Sequence, residues 1–319
     1  MTDPVLERSG SGVPLPGSGV IPPLVTPMLP DHTPDLDSLD RLIDHVLDGG
    51  AAGVLVLGST GENGLLSSEE RLTVATHVVA RCAGRTHVMV GVPALGLKDA
   101  RIDAVAYAAL GAGTLLVPAP YGFIHTHDEF VDYFGDLDAA TGATPIVAYN
   151  VPSRVGVNLE PALVIELAET GVIAGLKDSS GNVEAQRVIA EGTAAIPGFR
   201  RYTGGELSID AALLGGFHGA VPGLSNAFVH HHVALCEHAA NGDWTAAAAV
   251  QGRIVTLAQL YEAPRGRGSF SGVAIGALKE ALVQLGVIAH STTSAPFCQP
   301  DDDLRAHVAD VLRRARELP

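Results

Sequence analysis

Charged residues are few in this chain of 319: Asp, Glu, Lys and Arg make up 17%, against 47% hydrophobic residues. That balance gives enough apolar material for a large core and too little charge for a disordered chain. The charge leans acidic, with 20 Lys and Arg against 35 Asp and Glu and a formal net charge of -15. No basic run longer than a pair interrupts that field, which argues against a nucleic-acid partner. Cysteine is nearly absent. Cys82, Cys236 and Cys298 lie far apart and form no CxxC pair, as expected of a reducing, cytoplasmic compartment. No stretch approaches the roughly 18 continuous apolar residues of a membrane span. The opening MTDPVLERSGSG lacks the basic start and apolar run of a secretory signal. Lysine is scarcest of all, found only at Lys98, Lys177 and Lys279.

Residues 1–18 are rich in Gly, Ser and Pro without hydrophobic period, and are expected to form a mobile tail. From Gly19 onward, short apolar runs alternate with longer amphipathic segments. The runs are Ile21–Val25, Gly53–Leu57, His87–Gly91, Thr114–Val117, Pro145–Tyr149, Ile173–Lys177, Arg200–Thr203 and Gly219–Val221. Several are rich in Val, Leu or Ile with no clean alternation, as strands buried on both faces are. Helical patterns separate them. Leu36–Leu47 carries one apolar stripe, and Ser67 with Glu70 has capping-box spacing ahead of the next. Strand–helix units in this number close into a (β/α)8 TIM barrel over residues 19–242. The rival, a doubly wound open sheet, lacks a GxGxxG string after the first strand. Residues 243–319 hold further helical patterns at Asp243–Tyr261, Gly272–Leu285 and Pro300–Leu318, expected as a helical extension packed on the barrel.

Working residues of such barrels sit at the C-terminal ends of strands. The second strand ends in Gly58-Ser59-Thr60-Gly61-Glu62-Asn63. Its backbone N–H groups and hydroxyls could cradle a carboxylate, although an ordinary turn ending in a helix cap has a similar composition. The fifth ends in Tyr149-Asn150-Val151-Pro152-Ser153-Arg154, placing a proton-carrying phenol near a guanidinium that can grip an anion. A half-buried aromatic and a solvated Arg would read the same. The sixth ends in Gly175-Leu176-Lys177-Asp178-Ser179-Ser180-Gly181-Asn182. An amine at the mouth of a barrel can be held neutral by its surroundings and attack a carbonyl. Lys98 and Lys279 fall in helical patterns, where solvation or the helix dipole accounts for them.

The strings GSTGEN, YNVPSRVG and GLKDSSGN, in this order and spacing, resemble the signatures of the dihydrodipicolinate synthase / N-acetylneuraminate lyase family. The resemblance runs from about Gly19 to the C-terminal helices. It implies a class I, Schiff-base lyase on a (β/α)8 barrel, assembled as a homo-oligomer (tetramer or dimer), with no metal and no organic cofactor. Lys177 would condense with the keto group of pyruvate or a related 2-keto acid. Ser59 and Thr60 would bind the carboxylate, Tyr149 would shuttle protons with Thr60 as relay, and Arg154 would meet a distal carboxylate on an aldehyde partner. Gly204 and Val221 match positions whose backbone lies beside the Schiff base. Tyr121 and Glu206 are further candidates.

The pattern departs from the synthase branch after the fourth strand. There the chain reads Pro120-Tyr121-Gly122-Phe123, with Gly122 where that branch carries a second, relay tyrosine. Gly205-Glu206 likewise stand where polar or acidic residues are common. Aldolase, sugar-acid dehydratase and dihydrodipicolinate synthase therefore remain open, and so does a keto-acid-binding barrel without catalysis. His125 and His127 fit a solvated loop and helix start. Consecutive residues His230-His231-His232 on a helix cannot converge on one ion. Asp301-Asp302-Asp303 precedes a helix, where negative charge suits the dipole.

Overall fold

The computed structural model describes residues 14–93, 96–264, 266 and 268–316. Its strands are β1 (Gly19–Val20), β2 (Gly53–Val56), β3 (His87–Gly91), β4 (Thr114–Pro118), β5 (Ile146–Asn150), β6 (Gly175–Asp178), β7 (Arg200–Thr203) and β8 (Gly219–Ala220). All pair in parallel in the order β1-β8-β7-β6-β5-β4-β3-β2. The chain just beyond β1 closes the ring against β2. Leu24 N donates to Leu55 O (2.8 Å) and Leu55 N to Pro22 O (2.9 Å). The first strand was expected at Ile21–Val25. It ends earlier because Pro22 and Pro23 have no N–H to offer a ladder.

Strands β2 to β6 are buried at every position, which explains their apolar runs without alternation. The outer ring consists of α1 (Leu36–Asp48), α2 (Ser68–Cys82), α3 (Leu97–Ala109), α4 (His127–Thr141), a single turn α5 (Pro152–Val155), α6 (Pro161–Glu169), α7 (Val183–Gly192), α8 (Ile209–Leu214) and α9 (Val229–Ala240). Helix α1 buries Leu39, Leu42, Ile43 and Val46, one stripe at helical spacing. The capping box at Ser67 and Glu70 is present before α2, and Thr126 and Glu129 form another before α4. Turn α5 was not anticipated. Pro152 starts it and Gly156, at φ 73°, stops it.

The helical extension consists of α10 (Trp244–Leu257), α11 (Phe270–Gln284) and α12 (Asp302–Arg316). The pattern Asp243–Tyr261 is split, since a 3₁₀ turn at Ala258–Glu262 follows α10. Helix α11 packs on α12, on that 3₁₀ turn and on a second 3₁₀ turn, Gly223–Asn226, just after β8. This lays α11 over the mouth of the barrel. Asp301 caps α12 by accepting from Leu304 N (2.9 Å), as the acidic run there suggested.

Residues 1–13 of the expected tail lie outside the described residues. Its last part is not free. Leu15 is buried, Tyr202 OH donates to Pro16 O, and a Cβ on Gly53 would lie 3.5 Å from Pro16 Cγ. Gly53 begins β2, so this segment lies against the end of the barrel opposite the mouth.

Candidate active site

Lys177 and Tyr149 face each other across the β5–β6 pair in direct register. Lys177 is 4% exposed, and its Nζ stands 4.3 Å from the centroid of the Tyr149 ring. The register follows from the strands themselves, and it is pinned by a polar lock next to it. Asn150 Nδ2 donates to Asp178 Oδ2 (2.8 Å), and Leu159 N donates to Asn150 Oδ1 (3.0 Å). Asp178 Oδ1 further accepts from Ser180 N, Ser180 Oγ and Gln186 Nε2. A buried carboxylate with this many donors is satisfied without a cation, so Lys177 is left for other work.

The Tyr149 phenol is held below its ordinary value. Burial alone would raise it, but the Lys177 charge, hydrogen bonds from the Ser179 and Ser59 hydroxyls and the nearby Arg154 together outweigh burial. The sequence suggested Thr60 as the relay to this phenol, whereas the hydroxyls in contact with it are those of Ser59 and Ser179. Ser179 was missed. It stands two residues beyond Lys177, and strand alternation alone would have placed it on the same side. Gly204 completes this corner: a Cβ there would fall 1.9 Å from Ser179 Oγ and 3.2 Å from Lys177 Cε, so a side chain there would displace the Ser179 hydroxyl.

The turn after β2 is sharply bent. Gly61 N donates to Gly58 O (3.0 Å) and Glu62 N to Ser59 O (3.2 Å), leaving the N–H groups of Ser59 and Thr60 without partners among the described residues. Leu57 and Glu62, at either end, hold positive φ values of 55° and 59°. Strain of that kind persists only where the surroundings enforce it. Gly91 permits it at Leu57, since a Cβ on Gly91 would lie 2.1 Å from Leu57 O.

These groups open onto a cavity of about 680 Å³ whose lining includes Ser59, Thr60, Tyr149, Arg154, Lys177 and Ser179. The chain from residue 16 to 315 matches the model of the dihydrodipicolinate synthetase family. The chain belongs to that family. It is 34% identical over 231 residues to a 4-hydroxy-tetrahydrodipicolinate synthase of Laribacter hongkongensis, covering 72% of this chain and 78% of the relative. It is 36% identical over 237 residues to one of Xanthomonas axonopodis pv. citri, covering 74% and 78%. Among solved structures, a dihydrodipicolinate synthase from Bacteroides thetaiotaomicron superposes with a TM-score of 0.87 at 30% identity, over 94% of this chain and 99% of that one. A prophage protein of the family from E. coli K12, solved with pyruvate, superposes with a TM-score of 0.86 at 26% identity, over 95% and 99%. The chain is accordingly a lyase of the class I aldolase type on a (β/α)8 barrel.

Against that family frame, the remaining candidates separate. Gly204 and Val221 do line the cavity, with Gly204 N bonded to Asp178 O (2.7 Å) and Val221 N to Thr203 O (2.8 Å). Arg154 is exposed at the rim, makes no ion pair among the described residues, and also borders an adjoining cavity of about 360 Å³ that takes in Tyr121. Tyr121 is 58% exposed, and Gly122 beside it has φ 98°. Glu206 lines the larger cavity but is engaged: its Oε1 accepts from Leu224 N (3.0 Å) and Tyr261 OH (3.1 Å). Tyr261 was not anticipated from sequence. His232 is buried, with Nδ1 donating to Phe228 O (2.9 Å) and Nε2 turned toward Glu206 Oε2 at 3.9 Å. His125 and His127 pair with Glu129 and Glu166 outside the cavity.

Lys279 corrects the sequence reading most sharply. It is fully buried, not solvated, and its ammonium pairs with the Glu62 carboxylate while donating to Thr292 O (2.8 Å). A helical position in the sequence pattern gave no hint that α11 would be buried on all sides from Ile275 to Leu282.

Proposed function

We propose that Lys177 condenses with pyruvate or a pyruvate-derived 2-keto acid, and that the chain makes or breaks a carbon–carbon bond at the adjacent carbon. The observation that carries this is the Lys177 amine, buried near a strand end beside the ring of Tyr149, in a cavity that Ser59 and Thr60 also line. The amine attacks the keto carbon. The carbinolamine oxygen is protonated and leaves as water, giving an iminium that draws electrons from the neighbouring carbon. Loss of a proton or an aldehyde from that carbon yields the enamine. Tyr149 is placed to give and take these protons, with Ser59 and Ser179 on its oxygen. The Ser59 and Thr60 N–H groups fix the keto-acid carboxylate and thus its orientation. This chemistry calls for no metal or organic cofactor, because the iminium is the electron sink.

Condensation with aspartate semialdehyde, as the names of the curated relatives indicate for those proteins, is the second reading. Arg154 favours it and Gly122 weighs against it. A keto-acid-binding barrel without catalysis would leave the lysine–phenol pair unexplained. A cytoplasmic homo-oligomer fits three cysteines that are all free and an exposed apolar loop tip at Tyr121, Phe123 and Ile124.

Borohydride reduction in the presence of pyruvate, read by peptide mass spectrometry, is the test. A reduced pyruvyl adduct on the Lys177 peptide is expected, absent in Lys177→Ala. A folded protein that traps neither pyruvate nor any longer 2-keto acid would refute the proposal.

A further inference from the structure

Glu206 lines the main cavity, and the Schiff-base chemistry above makes no use of it. Its backbone is pinned from α10: Gln251 Nε2 donates to Glu206 O (3.0 Å), while Gln251 Oε1 accepts from Ile209 N (2.8 Å) at the start of α8. Its carboxylate meets groups from three further elements. Oε1 accepts from Leu224 N (3.0 Å), in the 3₁₀ turn after β8, and from Tyr261 OH (3.1 Å), in the 3₁₀ turn after α10. Oε2 is shielded from solvent, has no hydrogen-bond partner among the described residues, and faces the equally shielded Nε2 of His232 on α9 at 3.9 Å. Held at its backbone and at Oε1, this carboxylate keeps one orientation.

The consequence falls on Tyr261, which lines the same cavity. A phenol has one proton to give and lone pairs to receive with. Burial, with the Glu206 carboxylate beside it, holds this phenol well above its ordinary value, so it stays protonated. Its one proton is turned to Glu206 Oε1, an oxygen that only accepts. Toward the cavity the Tyr261 oxygen therefore offers lone pairs and no hydrogen. Gly223 makes room for this arrangement: a Cβ there would lie 2.7 Å from the Tyr261 oxygen and 3.1 Å from Glu206 Oε1. The rest of the outer lining is mixed. Arg154 only donates, Ser153 and Ser271 can do either, and Glu262 adds a second carboxylate. At Tyr261, unlike at the serines, the polarity of the contact is fixed.

We propose that Tyr261 is a specificity-determining residue for the second substrate, accepting a hydrogen bond from a hydroxyl or ammonium group on the aldehyde partner, and that Glu206 is the positioning residue that keeps the Tyr261 proton turned away. This rests on the Schiff-base reading above. A partner that brings only an acceptor to this place, such as an ether oxygen, sets lone pairs against lone pairs and leaves a polar atom unpaired. A partner that brings an apolar group strips water from the phenol oxygen and returns nothing. An ammonium gains in addition from the Glu206 and Glu262 carboxylates, whereas a carboxylate on the partner is left to Arg154. His232 backs the Glu206 carboxylate from its shielded side and is not among the cavity-lining residues.

The test uses the intact chain with pyruvate and four aldehydes that differ only at the third carbon: propanal, 3-methoxypropanal, 3-hydroxypropanal and 3-aminopropanal. Product is followed by mass spectrometry, and borohydride trapping of pyruvate on Lys177 is run alongside to show a working pocket in each variant. One hydrogen bond made against one denied should place kcat/KM for the better donor-bearing aldehyde about tenfold above propanal and 3-methoxypropanal, with the difference in KM. Whichever of the two leads identifies the donor as hydroxyl or ammonium. Tyr261→Phe keeps the ring, removes the lone pairs and should bring that ratio close to one. Glu206→Gln still offers an oxygen to Tyr261 OH and should keep the preference. Glu206→Leu frees the phenol proton and should raise 3-methoxypropanal toward 3-hydroxypropanal. If the Lys177 adduct forms but neither donor-bearing aldehyde outpaces 3-methoxypropanal, or if the preference survives in Tyr261→Phe, the role of Tyr261 is overturned while the Schiff base stands. If Glu206→Gln loses the preference as Tyr261→Phe does, the positioning role of Glu206 is overturned. If no keto acid is trapped, the Schiff base and this proposal fall together.

Discussion

Lys279 on α11 and Glu62 in the turn after β2 form an ion pair in which both side chains are wholly buried. Glu62 Oε1 also accepts from Ser294 N (2.7 Å), so two groups from the helical extension hold one carboxylate of the barrel. That carboxylate belongs to the residue at φ 59°, two positions after Thr60. The extension is thus tied directly to the turn whose N–H groups face the cavity. Burial pulls the Lys279 ammonium below its ordinary value while Glu62 opposes the shift, as expected for a pair that must be kept together to be tolerated.

Breaking that pair should harm both stability and that turn. Lys279→Met leaves the Glu62 carboxylate in the interior without its cation, at a cost of about 3–5 kcal/mol. Lys279→Met combined with Glu62→Gln removes the charge and keeps the bond to Ser294 N, so it should regain most of the loss in denaturant unfolding. Its KM for the keto acid should still rise several-fold, because the turn has lost one of its two ties to the extension. A single variant as stable as the parent would show that the pair contributes nothing.

The phenol of Tyr149 sets a second expectation. Acting as a proton donor, it should impose an alkaline limit on kcat/KM below the usual tyrosine range, since its neighbours favour the phenolate. Arg154→Ala removes one of those positive charges and Ser179→Ala one of the hydrogen bonds. Each change makes the phenolate less favourable and should move the alkaline limb to higher pH. A pH–rate profile on each variant checks the direction, and a limb displaced to lower pH would remove Tyr149 from this role.

The strand ends were legible because their signals are local: a lysine closing an apolar run, hydroxyls between glycines, a tyrosine before a proline. Burial on both faces made the barrel strands readable as continuous apolar runs, and only β1 fell wholly outside its expected range, displaced by Pro22 and Pro23. What remained hidden depended on partners far away in sequence. Glu62 and Lys279 are 217 positions apart by their numbers, and nothing near either one announces the other. Tyr261 meets Glu206 only because α10 runs on into a 3₁₀ turn, and the outer lining of the cavity exists only once α11 lies across the mouth.

The place of the missing relay tyrosine is not a simple vacancy. Gly122 sits at φ 98°, a conformation that side-chain-bearing residues rarely adopt, and costs of about 1–2 kcal/mol are usual when they are forced into left-handed backbone. Gly122→Tyr should therefore lose stability or shift the loop, and should give no gain in condensation of pyruvate with aspartate semialdehyde. A large gain in that turnover would mean that this loop readily takes the synthase form.

Acid should destabilise the barrel through His218, which lies between β7 and β8. Burial, with Arg201 and Arg200 beside it, holds this imidazole down to about 4, and Arg201 N donates to its Nδ1 (3.1 Å), which requires the lone pair to be free. In the unfolded chain the ring titrates near 6.5. Between these values the unfolded state binds the extra proton, so the stability from the neutral ring is complete above about 6.5 and is lost as pH falls toward 4. Because the ring is partly exposed, the loss is discounted to the order of 2 kcal/mol. His45 and His231 are also held down by burial and act in the same direction. Denaturant midpoints measured from pH 7 to pH 4 should therefore fall, and His218→Gln should flatten that fall without abolishing it. An unchanged slope in the variant would show that the imidazole is equally content charged, against the two guanidinium groups that flank it.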